Sequence, residues 1–557
     1  MSDSHPQFSA RAPSQGDRRS ALPLLLASLL GAGVCFTLAN ERLRGLLINS
    51  AWLTLGTLAI SLPLGTFMAV AISKTSILGR QTIKRLMIAL LLVPLFVQAT
   101  AWQAALGQAG WLWPSVNSSF ALSGLYGAIF VHGISAIGWV VLFVGAALHS
   151  VPRELEEEAL QDSPGWRVLA RVSLPAALAG VAAAALWIAA ICLGEITITD
   201  LFQVRTFAEE VYTTTSLGSL DFGFFPPDNG ITLSTTSHHL AAYDLWLGTA
   251  LVLILVSTAL ATIWSRLPTI DVISPNEGWV WQLGRGRWLL TLAAWILTAG
   301  IVGLPLASLA EKAGLQTERV VERPVRTWSP MKAARMVVLS PWEHRREARW
   351  SFTIGGLAAG AATVVGVLIA WALRTRWLPP RFTAIVLGIG FAIPGPLLGM
   401  WVIRLLNQPE DAAFSFLSWW YNDTILAPVV VQFLRAVPLV TLVLTAQFAS
   451  VPQDVLDSAT TEGAGGWRQL LGIGLPLAWP AVLAAACMAL IVAIGDMAAT
   501  LLVLPPGVAT LSTRISGLLH FGAEDRVSAL CLALVLGLGG MAAAAWQLPR
   551  MFKSKSR

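Results

Sequence analysis

The sequence predicts an all-α, polytopic membrane protein with about twelve transmembrane helices in two tandem six-helix halves. Three observations predict it. Only 12% of the 557 residues are charged and 55% are hydrophobic, whereas a soluble domain carries about 25% charged residues. That leaves too little polar surface to cover a water-soluble globule, so lipid is the solvent for much of the chain. Apolar runs of about twenty residues, the length that spans a bilayer, recur from end to end. Short signatures occur twice, 301 residues apart.

The first run is preceded by a polar, basic tail, 1–20, ending in Arg18-Arg19-Ser20. The run from Ala21 to Ala39 is longer than the apolar region of a secretory signal and lacks a clear A-x-A-like cleavage site. It is expected to remain as a first helix, with the tail in the cytoplasm. Further runs lie near 46–72, 86–107, 119–148, 176–199, 241–264, 288–310, 351–373, 382–405, 424–449, 477–504 and 527–548. Pro63, Pro94 and Pro394 fall inside them, as membrane helices tolerate. Cys35, Cys192, Cys487 and Cys531 each sit in an apolar run without metal-ligand spacing, and read as small buried hydrophobes.

Loop charge gives the orientation. With the N-terminus inside, the loops 74–85, 151–175, 265–287, 374–381 and 451–476 and the tail 550–557 are cytoplasmic, and most are basic, as the positive-inside rule asks. The net charge of +6 is read the same way and not as nucleic-acid binding. The 24 Trp suit membrane interfaces. The outside loops 200–240 and 406–423 lean acidic, whereas 311–349 is rich in Arg yet falls outside. It is long enough to be a small extracytoplasmic element.

The repeat divides the chain. Leu174-Pro175 and Leu475-Pro476 lie 301 residues apart, as do Trp166-Arg167 and Trp467-Arg468, and Gly194-Glu195 and Gly495-Asp496. Thr54-Leu55-Gly56 resembles Thr353-Ile354-Gly355 at nearly the same offset. The expected units are the tail 1–20, a first half 21–287 and a second half 288–557. Two copies in parallel orientation imply a pseudo-two-fold axis along the membrane normal, with a translocation path between them.

Two cytoplasmic loops carry the main motif. The first runs from Glu156-Glu157-Glu158-Ala159 through Pro164-Gly165-Trp166-Arg167 to Leu174-Pro175. The second runs from Asp457-Ser458-Ala459 through Gly463-Ala464-Gly465-Gly466-Trp467-Arg468 to Leu475-Pro476. Each reads as a short helix, a turn, a second short helix, and a Leu-Pro opening a membrane helix, where the missing proline N–H is not needed. An ordinary amphipathic loop helix would not recur at matching places.

These loops resemble the EAA loop of binding-protein-dependent ABC importer permeases, whose pattern is E-A-A, a Gly, and a hydrophobic stretch closing in L-P. Asp457-Ser458-Ala459 stands at E-A-A and Gly463 at the glycine. In the first copy the acidic start is Glu156 or Glu157, Asp162 or Ser163 replaces the glycine, and Pro164-Gly165 is available for the turn. A single chain with two such loops resembles the fused permeases for ferric iron and for thiamine, of the type I permease fold. The resemblance implies coupling helices that dock in cytoplasmic ATPase subunits, in two copies. Glu156, Glu157, Ala159, Gly165 and Arg167 would serve in the first loop, and Asp457, Ala459, Gly463, Ala464 and Arg468 in the second. It also implies an extracytoplasmic solute-binding protein, with loops 200–240 and 311–350 receiving it. The location would be a bacterial inner membrane, both termini cytoplasmic. Ferric iron is the favoured substrate by resemblance alone, with thiamine, another small cation or an oxyanion open.

No G-x-x-x-x-G-K-S/T loop occurs, so a separate subunit would have to cradle ATP phosphates. No cofactor, metal site or nucleophile–base arrangement is apparent. The adjacent His238 and His239 read as solvated loop surface. The runner-up reading is an ion-gradient-driven secondary transporter, which would hold ionisable residues at mid-membrane; the helix interiors read as nearly free of charge. Glu195 and Asp496 are the exceptions. Each lies twenty residues past its Leu-Pro, roughly 30 Å at 1.5 Å per residue, near the outer mouth. They are expected either to line the path or to brace the segment just beyond each of them.

Overall fold

The computed structural model describes residues 41–107, 110–112, 121–216, 279–320, 323–408 and 414–554. The expected spans 21–40 and 241–264, and His238 and His239, lie outside the described residues. Within them the protein is all-α apart from one antiparallel hairpin, Leu315–Val320 with Arg323–Trp328. Six helices are long and apolar enough to cross a membrane, or nine if each of three bent pairs counts as one span. The chain is therefore a multi-pass membrane protein.

The repeat seen in the sequence is a repeat in space. Glu41–Lys74 packs along Gly124–His149, and Arg345–Arg374 along Leu426–Ala449. The contact is close because glycine stands at matching places: a Cβ at Gly65 would lie 2.4 Å from Val140 Cβ, and one at Gly366 2.5 Å from Val440 Cγ1. Small residues let helix backbones approach where lipid supplies no hydrophobic drive. The Phe207 N–H donates to Ser50 Oγ at 3.0 Å, and the Leu511 N–H to Ser351 Oγ at 2.7 Å. Each seryl hydroxyl thus anchors the start of a short helix, Phe207–Ser216 or Leu511–His520.

Two expected spans are not single helices. The run 86–107 is split into Arg80–Leu91 and Leu95–Leu106, bent by 106°, and the run 382–405 bends by 95° between Phe382–Gly390 and Gly395–Leu406. The breaks fall at Pro94 and Pro394, which lack an N–H and push the preceding residue out of helical geometry. The carbonyls freed there are satisfied by side chains. Gln98 Nε2 donates to Leu90 O and Val93 O at 3.2 and 3.0 Å, and Arg435 Nη1 donates to Ile393 O at 3.2 Å. The run 477–504 also stops early, its helix ending at Gly495.

Leu-Pro does not open a helix as expected; it sits inside one. Leu174-Pro175, Leu304-Pro305 and Leu475-Pro476 each come directly after a five-residue π turn, at Leu169–Ser173, Ala299–Gly303 and Leu470–Gly474. Proline cannot donate to the carbonyl four residues back and crowds it; one wider turn absorbs both problems without ending the helix. In the first copy there is then a 53° bend between Gly165–Ala176 and Leu178–Gly194, while Gly466–Gly495 runs on as one span.

The copies exchange arms. Ala294 and Ile301, on the helix Gly284–Gly314, belong to a core built mainly from the first copy. That same helix packs against Glu524–Ser554. Leu43, Phe207 and Val211 join a core with Ile393, Leu397 and Val431. The Arg-rich segment after Gly314 does form a small element, the hairpin and then the helix Pro330–Glu343. Lys312–Glu524 and Lys332–Asp525 ion pairs, at 2.8 and 3.0 Å, tie it to the start of the last helix, where acidic side chains also suit the helix dipole.

Candidate coupling loops and the cavity between the copies

Both EAA-like loops start with a Pro-initiated helix, Arg153–Asp162 and Gln453–Thr461. Their inward and outward faces match. Val151 and Val451 are buried, Leu155 and Val455 are exposed, and Glu156 stands where the second copy has buried Leu456. Arg153 Nε donates to Glu157 Oε1 at 2.6 Å, and Gln453 Nε2 to Asp457 Oδ1 at 2.9 Å. This fixes the register left open by the sequence: Glu157-Glu158-Ala159 is the counterpart of Asp457-Ser458-Ala459.

Glu156, one of the expected coupling residues, is instead fully buried and holds the loop to its own copy. Lys74 Nζ donates to its two carboxylate oxygens at 2.6 and 2.8 Å, and Ser173 Oγ donates to Oε1 at 2.6 Å. A buried carboxylate persists only when paired and hydrogen-bonded in this way. It offers nothing to an outside partner.

The turns differ. Gly463 has φ +79° and open space at its Cβ position. Its N–H donates to Thr460 O, and the Ala464 N–H to Ala459 O, both at 2.9 Å, which closes the helix through a left-handed glycine cap. Buried Gln469 donates from Nε2 to Thr460 Oγ1 and Ala464 O at 2.8 and 3.0 Å. The first loop has no such cap: Ser163 is extended, and the chain turns at Pro164. Gly165 is needed there because a Cβ would come within 2.9 Å of Trp279 and Trp281, which precede the helix Gly284–Gly314. Past each turn the same pair is displayed, Trp166 and Trp467 being 54% and 65% exposed with Arg167 and Arg468 beside them on the surface. The Arg167 guanidinium lies over the Trp166 ring at 5.2 Å.

Glu195 and Asp496 end their helices and line one cavity of about 230 Å³ between the copies, together with Pro94, Gln98, His132 and Arg435. Each also braces the short helix on its C-terminal side. Glu195 accepts from the Thr197 and Ile198 N–H groups at 2.5 and 3.0 Å, and Asp496 accepts from Thr500 Oγ1 at 3.3 Å. Lining the cavity and bracing the next helix thus coexist in each carboxylate. The glycines before them face the opposite copy: Gly194 lies against Pro394, and a Cβ at Gly495 would sit 3.3 Å from Pro94 Cβ.

The comparisons agree with this architecture. Residues 362–553 match the family described as the binding-protein-dependent transport system inner membrane component. That stretch is about a third of the chain and is similar to the family. The matched stretch contains the second loop, Arg435 and Asp496. The family is a transport component, not an enzyme class. Among curated proteins the chain is 27% identical over 173 residues to the putative 2-aminoethylphosphonate transport system permease protein PhnV of Salmonella typhimurium. That stretch is 31% of this chain and 62% of PhnV, so the chain spans under two thirds of that relative's length. It is 26% identical over 180 residues to the putative molybdenum transport system permease protein YvgM of Bacillus subtilis, covering 31% of this chain and 79% of YvgM.

The interior is more ionic than the sequence suggested. His132 and Arg435, in the first halves of Gly124–His149 and Leu426–Ala449, join Glu195 and Asp496 in the cavity. The missed signal was their isolation: each is the one ionisable residue in a long apolar stretch, and such residues face bundle interiors or wet cavities. His132 Nε2 lies 3.4 Å from Glu195 Oε2. Among the described residues no group of three or more His, Cys, Asp or Glu could hold a metal ion.

Proposed function

We propose that this chain is the transmembrane permease of an ABC importer, moving a small solute inward by alternating access driven by a separate ATPase. The observation that carries the reading is the matched pair of loops. Each presents an exposed aliphatic residue, an acidic residue, and a Trp-Arg pair in the same order, Leu155, Glu157, Trp166 and Arg167 against Val455, Asp457, Trp467 and Arg468. Two equivalent surfaces fit two copies of one ATPase. On closing, those copies would rock the halves 21–287 and 288–557 about the cavity. The halves then face the cytoplasm with both termini, and a solute-binding protein delivers substrate on the other side, in a bacterial inner membrane. Glu195 and Asp496 line the path.

The resemblance alone favours ferric iron as substrate. The relatives are named for 2-aminoethylphosphonate and for molybdenum, and a guanidinium beside the carboxylates is a poor neighbour for a bare trivalent cation. A small anion or zwitterion therefore stands alongside iron as cargo. The ionisable groups in the cavity are what favours the second reading, an ion-gradient-driven carrier. Uptake into proteoliposomes separates the two. Dependence on ATP and the ATPase subunit, without any ion gradient, is the expected result; uptake driven by a proton or sodium gradient alone would overturn it.

A further inference from the structure

We propose that the cavity between the copies is a binding site for a small zwitterion, with the anionic group at Arg435 and the amine at Glu195 and Asp496. The inference rests on the permease reading and names the substrate class for it.

Several polar atoms face this cavity without a partner in the protein. Thr57 Oγ1, Gln98 Oε1 and Ser135 Oγ have none, although these residues are only 0%, 7% and 7% exposed and all line the cavity. Buried polar groups are normally hydrogen-bonded, and each exception calls for an explanation. Three exceptions converging on one space are explained by a polar occupant.

The charges narrow its chemistry. Arg435 spends one donor on Ile393 O and has others left, since a guanidinium carries five. The carboxylates of Glu195 and Asp496 each retain lone pairs beyond those used on Thr197, Ile198 and Thr500. A plain anion entering this space meets two carboxylates, and a plain cation meets the guanidinium. A molecule with both signs offers each group its opposite, with Gln98 Oε1 free to accept from an amine and Ser135 Oγ free to accept from one or to donate to an oxyanion. The pseudo-symmetry adds a reason for Arg435 to be a specificity residue. Ser135 occupies the matching position in the first copy, so only one side of the cavity carries a guanidinium.

Equilibrium binding of labelled 2-aminoethylphosphonate to the purified full chain in lipid nanodiscs, without ATPase or ATP, tests this. Saturable binding is expected, with methylphosphonate and ethylamine, its single-charge fragments, competing only at about tenfold or higher concentrations. Arg435→Gln should weaken 2-aminoethylphosphonate and methylphosphonate, and Glu195→Gln should weaken 2-aminoethylphosphonate and ethylamine. Ser135→Ala, which disturbs no internal hydrogen bond, should weaken binding with an unchanged melting temperature, and it serves if Arg435→Gln does not fold. No saturable binding, equal affinity for either fragment, or binding unaffected by Arg435→Gln or Ser135→Ala would overturn the site. Lack of binding beside intact ATP-driven uptake removes the site alone; binding beside uptake that ignores ATP removes the permease reading alone.

Discussion

Lys74 and Glu156 form an ion pair in which both side chains are 1% exposed or less, with Nζ 2.6 Å from Oε1. The pair ties the end of the helix Glu41–Lys74 to the first of the two matched loops. The second copy meets the same need differently: Arg374 donates to Phe448 O and Val451 O at 3.2 and 3.0 Å, and Leu456 replaces the carboxylate. Lys74→Met should therefore leave a buried, unpaired carboxylate and cost about 3–5 kcal/mol. Lys74→Met with Glu156→Leu, which copies the second solution, should restore most of the loss. Thermal unfolding of the detergent-solubilised protein reads both. A double variant as unstable as the single would show that the pair is not what holds the loop.

Gly463 is the second test. Its φ of +79° costs a side-chain-bearing residue about 1–2 kcal/mol, while the space around it is open. Gly463→Val should leave the protein in the membrane but misalign the loop, so that ATP hydrolysis proceeds without uptake. Asp457→Ala should act in the same direction. Unchanged uptake in both variants would count against a coupling role.

Glu195→Gln and Asp496→Asn separate path from brace. An amide oxygen can keep one of the two N–H bonds that Glu195 accepts, so the lost brace should cost about 1–3 kcal/mol. If the carboxylates line the path, uptake should fall several-fold at normal protein levels with binding-protein docking intact. Loss of folded protein as the sole effect would make them braces only.

The helix contacts can be tested by exchange of volume. Gly366→Ala should cost about 1–3 kcal/mol by overpacking against Val440, and Val440→Ala in the same chain should recover part of it. An unaltered melting temperature in Gly366→Ala would mean that the two helices are not in close contact there.

The sequence carried the fold class, the repeat and both loops, because lipid imposes long apolar runs and the Trp-Arg and Leu-Pro pairs recur at one offset. Periodicity could not reveal the breaks at Pro94 and Pro394, since proline is compatible with a kink, a break or a π turn. Leu475-Pro476 lies within a continuous helix, whereas Pro94 stands at a break and caps the start of the next helix. The difference lies in tertiary partners such as Gln98, which accommodates the freed carbonyls. Glu156 misled for a similar reason. An acidic residue in a highly charged loop reads as exposed until Lys74, 82 residues away, is brought beside it.

The central claim is that the two loops dock an ATPase. Affinity purification of the full chain in mild detergent tests it without knowledge of the substrate. Wild-type protein should carry an ATP-hydrolysing subunit, and a Trp166→Glu, Trp467→Glu double variant should be recovered at equal yield without that activity. An undiminished ATPase activity in the double variant, or none with the wild type, would contradict the account.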